Sequence, residues 1–129
     1  MIRILAIVVP LMACTQDIQL TYYTDSCHDW DFNNPSPEMR IERDGADVVI
    51  ARMGVENDCN ASFQPLIKAT GWMIQIYEDW EISEPSDCRM CFAPTVVLES
   101  APNGEYTIQW FDEPNVIKTA HEEVVVVQD

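Results

Sequence analysis

Positive charge is what this sequence most lacks. Seven Lys and Arg stand against 22 Asp and Glu in 129 residues, a formal net charge of -15 at pH 7. A nucleic-acid partner needs cations gathered against its phosphates. None are clustered here, so nucleic acid is not expected as a partner, and broad contact with an anionic membrane surface is disfavoured. Histidine is nearly absent too. His28 and His121 are isolated from one another, and no Ser/His/Asp arrangement can be argued from them. There is no Gly-rich phosphate loop. No stretch carries a helical stripe of useful length, and Pro65 interrupts the best candidate, Phe63 to Ala69. No apolar run is long enough to span a bilayer as a helix, which takes about 20 residues.

What the chain has instead is five cysteines, at positions 14, 27, 59, 88 and 91. The first follows an apolar run. Met1-Ile2-Arg3 supplies one positive charge, residues 4–13 are apolar throughout, and the chain turns polar at Thr15-Gln16-Asp17. That pattern fits the apolar region of a secretory signal. Leu11-Met12-Ala13-Cys14 resembles the lipobox of bacterial lipoproteins. The resemblance implies cleavage before Cys14 and a diacylglycerol on its sulfur. With an amide-linked chain as well, this would be a firm anchor, whereas one chain alone binds only marginally. Thr15 after the cysteine is similar to an outer-membrane address. Residues 1–13 are then a lipoprotein signal peptide, and the membrane is a partner through lipid at Cys14. The competing readings of the segment are an ordinary secretory signal and a buried first strand.

Setting Cys14 aside leaves an even set, Cys27, Cys59, Cys88 and Cys91, in an oxidising compartment. Cys88-Arg89-Met90-Cys91 has the spacing of a redox pair and of half a zinc site. A reactive thiolate is commonly stabilised at a helix N-terminus. Here Phe92-Ala93-Pro94-Thr95-Val96-Val97 follows, which reads as a strand, and Asp87 would raise a thiol pKa. A thiol-disulfide enzyme is therefore the less favoured reading. Zinc or copper on the cysteines competes directly with their oxidation. Two structural disulfides are expected. Three pairings are open. The favoured one joins Cys59 to Cys88 or Cys91 and Cys27 to the other, clipping two strand starts and pinning the N-terminal arm.

The chain reads in order as an irregular arm or tether over 14–37, with a short strand at Gln19 to Thr24, and then a β domain over 38–129. Alternation and turn signals place strands at Met39 to Arg43, Asp47 to Val55, Ala61 to Ala69, Trp72 to Ile82, Phe92 to Ser100, Tyr106 to Phe111 and Glu122 to Gln128. Val116-Ile117-Lys118 reads as a short extension. Pro65 marks an edge or a bulge. About seven short strands separated by turns read as an all-β, antiparallel Greek-key β-sandwich. The pattern Cys59, Cys88-x-x-Cys91-Phe92, then Asn103-Gly104-Glu105-Tyr106-Thr107-Ile108 resembles small bacterial lipoproteins. Its second half is similar to immunoglobulin-like or fibronectin-III-like sandwiches. The resemblance covers about residues 45 to 112 and implies a fold and a compartment, with no active site. An immunoglobulin disulfide bridges mid-strand positions, whereas these cysteines sit at strand ends.

Two further clusters are candidates for binding. Asp29, Asp31 and Asn33 alternate oxygen donors as a calcium loop begins, but the sixth and twelfth positions hold Asn34 and Arg40 where Gly and Glu belong. Glu78, Asp79, Glu81 and Glu84 surround Trp80, and Trp80, Glu78 and Glu81 make a candidate sugar- or protein-binding surface. The plainer alternative is a charged outer strand face with Trp80 half-buried. The expectation is a non-catalytic, lipid-anchored protein of the bacterial cell envelope, without a cofactor, that acts structurally or binds an envelope protein or a glycan. The alternative is a metal-binding envelope protein, using calcium at the acidic loop or zinc or copper at the cysteines.

Overall fold

The computed structural model describes residues 2–10, 17–27, 38–113 and 121–128. Cys14, His28, Asp29, Asp31, Asn33 and the extension at Val116 to Lys118 lie outside the described residues. Within them the chain is all-β. Its strands, in chain order, are β1 (Ile2–Pro10), β2 (Asp17–Ser26), β3 (Glu38–Asp44), β4 (Asp47–Met53), β5 (Val55–Asp58), β6 (Ala61–Phe63), β7 (Leu66–Thr70), β8 (Met73–Tyr77), β9 (Trp80–Ile82), β10 (Arg89–Glu99), β11 (Gly104–Phe111) and β12 (His121–Val127).

The larger sheet has the order β1-β2-β10-β4-β3, with β5 pairing the first part of β10, and every pair in it is antiparallel. Its core face comes from alternate residues: Ile18, Leu20 and Tyr22 on β2, Val48 and Ile50 on β4, Val96 and Leu98 on β10. β4 and β5 are one sequence run broken at Gly54. That glycine has φ 78°, a left-handed conformation that other residues adopt at a cost. It acts as a bulge, so Phe92 pairs with Val55 while Thr95 pairs with Ala51.

The second layer is the sheet β12-β11-β8-β7 together with the β6–β9 pair. Phe63, Ile74, Ile76, Tyr106, Ile108, Trp110 and Val127 carry its core face. The two pieces are one long hairpin, because the register passes through the break unchanged. Phe63 lies opposite Trp80 and Leu66 opposite Tyr77, and between them the Gln64 N–H donates to the Asp79 carbonyl at 2.9 Å. Pro65 has no N–H to give, which is why the ladder lapses there.

Two departures from the expected fold have clear causes. Twelve strands stand among the described residues where about seven were expected. The lapse at Pro65 splits both strands of its hairpin in two, Gly54 splits a third run, and the first 27 residues add β1 and a full ten-residue β2. The arm is thus not irregular over its whole length. β2 supplies core residues, so the folded unit begins well before residue 38. The second departure is that β8 and β11 run parallel. Parallel neighbours need a long crossover, and this one runs from β8 through β9 and across the other sheet along β10.

Candidate binding site

Trp80 and Glu78 form part of the core, whereas Asp79, Glu81 and Glu84 are exposed. Trp80 is half-buried and tilted against Phe63 (5.4 Å) and Phe92 (5.2 Å), while Phe63 stacks on Trp110 at 6.1 Å. Glu78 is only 6% exposed. Its Oε2 accepts the Trp80 indole N–H at 2.7 Å and its Oε1 accepts the Trp110 indole N–H at 3.0 Å. Burial raises its pKa, against the two indole hydrogen bonds, which lower it. Glu81 is exposed, on a strand whose alternation turns it the opposite way. Glycoside cleavage needs two carboxyls facing one substrate, and Glu78 and Glu81 do not face a common space.

A buried cation shares this end of the core. The Arg52 side chain is 7% exposed, and its Nε donates to Asp112 Oδ1 at 3.3 Å. Its Nη1 has no hydrogen-bond partner among the described residues. His121 Nε2 lies 4.0 Å from the same Asp112 oxygen. The His121 pKa is lowered, first by burial and then by Arg52, with Asp112 opposing. The sequence places Arg52 on the same face as Val48 and Ile50, and this is the face that turns inward.

The sulfurs are paired as Cys27–Cys91 and Cys59–Cys88. Both bonds lie at one end of β10 and extend its ladders. The Cys27 N–H donates to the Cys91 carbonyl at 3.2 Å, and the Cys59 N–H donates to the Cys88 carbonyl at 3.0 Å. Sulfur ligation of zinc or copper would require these bonds to be reduced. No group of three His, Cys, Asp or Glu side chains among the described residues could hold a metal ion. Asp58 braces the adjoining loop. Its carboxylate accepts the Asn60 N–H (2.8 Å), the Ser86 N–H (2.7 Å) and the Ser86 hydroxyl (3.0 Å). Those bonds, the backbone ones foremost, lower its pKa.

A concavity with room for a ligand lies elsewhere among the described residues, on the outer face of the larger sheet. It has a volume of about 530 Å³ and is lined by Tyr23, Asp25 and Ser26 of β2, Ala93 and Thr95 of β10, Val49, Ala51 and Met53 of β4, and Arg40 of β3. Ligand sites commonly measure about 300–1,000 Å³. The cross-strand register explains the shape. One row reads Tyr23–Thr95–Ala51–Arg40, with large side chains outside and small ones within. Thr95 and Ala93, although on the outward face, are 3% and 5% exposed. They lie at the bottom of a trough whose walls are the taller side chains of β2 and β3.

The trough is apolar in its floor and charged at its rim. The Thr95 hydroxyl donates to the Ala93 carbonyl at 3.0 Å, and Arg40 is tied to Glu38 Oε1 at 2.6 Å. Asp25 Oδ1 accepts the neighbouring Ser26 N–H at 2.9 Å. The arrangement can hold an apolar group by burial and orient its polar ends at Asp25 and Arg40. It offers no paired nucleophile and base. The sequence signal for it was present. The charged outward residues of β4 and β10 stand at their ends (Asp47, Arg89, Glu99), and the positions between that floor the trough (Val49, Ala51 and Met53; Ala93 and Thr95) hold none, although solvent-facing strand positions are usually polar. No family model matches the chain, and no curated protein or solved structure matches it.

Proposed function

We propose that the protein is a non-catalytic module of the bacterial cell envelope, anchored by lipid at Cys14, that holds a protein or glycan partner in the trough on the outer face of its larger sheet. The trough carries the binding half of this reading. A concave, largely apolar floor with a few polar groups at the rim is the usual form of a recognition site. The lipobox-like Leu11-Met12-Ala13-Cys14 supports anchoring, with Thr15 favouring the outer membrane. The disulfides support an oxidising compartment. The Tyr106 hydroxyl, which donates to the Pro102 carbonyl at 2.6 Å, favours an immunoglobulin-like lineage, since a tyrosine bonded back to upstream backbone recurs in those sandwiches. The parallel β8–β11 pair departs from that lineage.

Two measurements test the two halves. Intact mass of the protein from cells carrying the whole sequence should show an acylated Cys14 as first residue, and an unmodified Cys14 or a cut elsewhere rejects the anchor. A photo-crosslinking residue placed at Ala51 should trap a defined partner in the envelope, whereas one at the exposed Glu81 should not. Substituting Ala51→Trp fills the trough from its floor and should abolish capture at a neighbouring probe on Met53. Equal capture from both faces, or capture unaffected by A51W, rejects the trough as the site.

A further inference from the structure

The uncleaved chain places its first apolar segment along the edge of the sandwich. β1 pairs antiparallel with β2 over eight residue pairs, from Ile2 opposite Thr24 to Pro10 opposite Asp17. β2 has β10 on its other side. Ile18, Leu20 and Tyr22 of β2 are 0–4% exposed and belong to the core. Leu5, Ile7 and Val9 hold the register positions opposite Tyr22, Leu20 and Ile18. An apolar strand in this register is therefore what the edge accepts.

Cleavage before Cys14 removes that strand. It uncovers the edge of β2 that β1 occupies here, beside three core side chains. A strand edge of this length is a template for another strand. We infer that, in the mature protein, the β2 edge takes up an extended, apolar, antiparallel strand from another envelope protein, which replaces β1. This rests on the anchoring reading given above, and it names a second partner, distinct from the occupant of the trough. The geometry also says where that partner is. Cys14 lies three residues before Asp17, and three residues reach at most about 10 Å. The start of the edge is thus held close to the lipid anchor, so the donated strand comes from a segment near the membrane surface.

The test uses the mature lipoprotein in detergent, purified from cells carrying the whole sequence, with its first residue established by intact mass. The probe is a synthetic peptide of residues 2–10 with a tri-glutamate tail, which adds no attraction to a chain of this charge. The control is the same peptide carrying Ala6→Pro and Ile7→Pro, adjacent paired positions of which one presents its N–H to β2, so that the ladder loses a hydrogen bond. The native-sequence peptide should bind more than about tenfold tighter than the proline control. It should also slow hydrogen exchange over residues 18–24. Equal binding by the two peptides, or no gain of protection in β2, overturns the inference and leaves the anchor reading intact. Protection of β2 before peptide is added, with crosslinks joining two copies through β2, also overturns it, by giving the edge to a second copy. A mass that retains residues 1–13 overturns the anchor reading, and with it the vacancy at the edge.

Discussion

Replacing Glu78 by Gln is the sharpest perturbation this core offers. The carboxylate has two acceptor oxygens, and each is used by an indole N–H, from Trp80 at 2.7 Å and from Trp110 at 3.0 Å. A glutamine keeps one acceptor and turns the other position into an N–H₂ donor. Either way the amide is turned, one indole faces a donor. A buried donor without a partner costs about 1–3 kcal/mol. Burial works in the opposite direction. It raises the Glu78 pKa, so the charge itself is disfavoured at this site, and an uncharged amide relieves that. Arg52, which stabilises the charged form, loses a neighbouring anion in the variant. The lost acceptor and the less compensated buried cation outweigh the relief, and E78Q should be destabilised by about 1–3 kcal/mol at pH 7.

Urea unfolding followed by tryptophan fluorescence measures this directly, because both indoles are at the site. With an m value of about 1–3 kcal/mol per M, the midpoint should fall by about 1 M without a change of slope. The pH dependence supplies an independent sign. A carboxyl whose pKa is raised by folding holds its proton more tightly in the native state. Its contribution to stability therefore falls as pH rises from the ordinary 4.5 through the folded-state value, and then levels off. Wild type should show that decline and E78Q should lack it. An E78Q protein as stable as wild type at pH 7, or one that keeps the decline, refutes the assignment of both indoles to this carboxylate.

Other perturbations follow from the same structure. Asp58 carries the opposite sign: its lowered pKa makes its contribution complete above the ordinary 3.8 and lost as pH falls through the folded-state value. The protection of the Ser86 amide from hydrogen exchange, measured against its intrinsic rate at each pH, should fall in acid and should be low at all pH in Asp58→Ala. The Cys27–Cys91 bond closes 64 residues and the Cys59–Cys88 bond 29, so loop entropy assigns about 4.3 and 3.6 kcal/mol respectively. Cys27→Ala/Cys91→Ala should therefore lower the thermal midpoint more than Cys59→Ala/Cys88→Ala, and an inverted order in melting curves would show that native-state contacts govern instead. A Cβ at Gly104 would lie 2.8 Å from the Trp72 ring, which packs edge-on against Tyr106. Gly104→Ala should displace that ring at a cost of about 1–3 kcal/mol, read as a shifted urea midpoint and altered tryptophan emission.

Much of this fold was legible because alternation is a local property. Val48, Ile50 and Arg52 fall on one face of their strand and Val49, Ala51 and Met53 on the other, whichever strands lie beside them. What alternation does not reveal is which face is the core, and that decides the fate of Arg52 and Glu78. Both sit on the apolar side of their strands, so burial follows from position despite their charge. The partners that make burial tolerable, Asp112 for Arg52 and Trp110 for Glu78, lie 60 and 32 residues away. Glu78 and Glu81 look paired in sequence because they are three apart, yet in a strand an odd separation puts them on opposite faces. The parallel β8–β11 contact was invisible for a similar reason, since strand direction is set by the crossover and not by composition.

The cysteines and the trough, which the sequence presents as separate matters, meet on β10. Its even positions Val96 and Leu98 fill the core, and its odd positions Ala93 and Thr95 floor the trough. Cys91 and, just before the strand, Cys88 tie it to the ends of the two neighbours β2 and β5. A strand bonded covalently at one end, and buried on both faces, has little freedom to move. The trough floor should therefore be set before any ligand arrives, and binding there should tighten side chains on β2 and β3 without changing exchange along β10. That distinguishes it from the proposed β2 edge site, where an incoming strand would take the ladder positions that β1 holds here. Protection gained in β2 backbone amides thus reports the edge, and loss of side-chain access at Tyr23 or Arg40 reports the trough. The two occupancies can be assigned separately even in one sample.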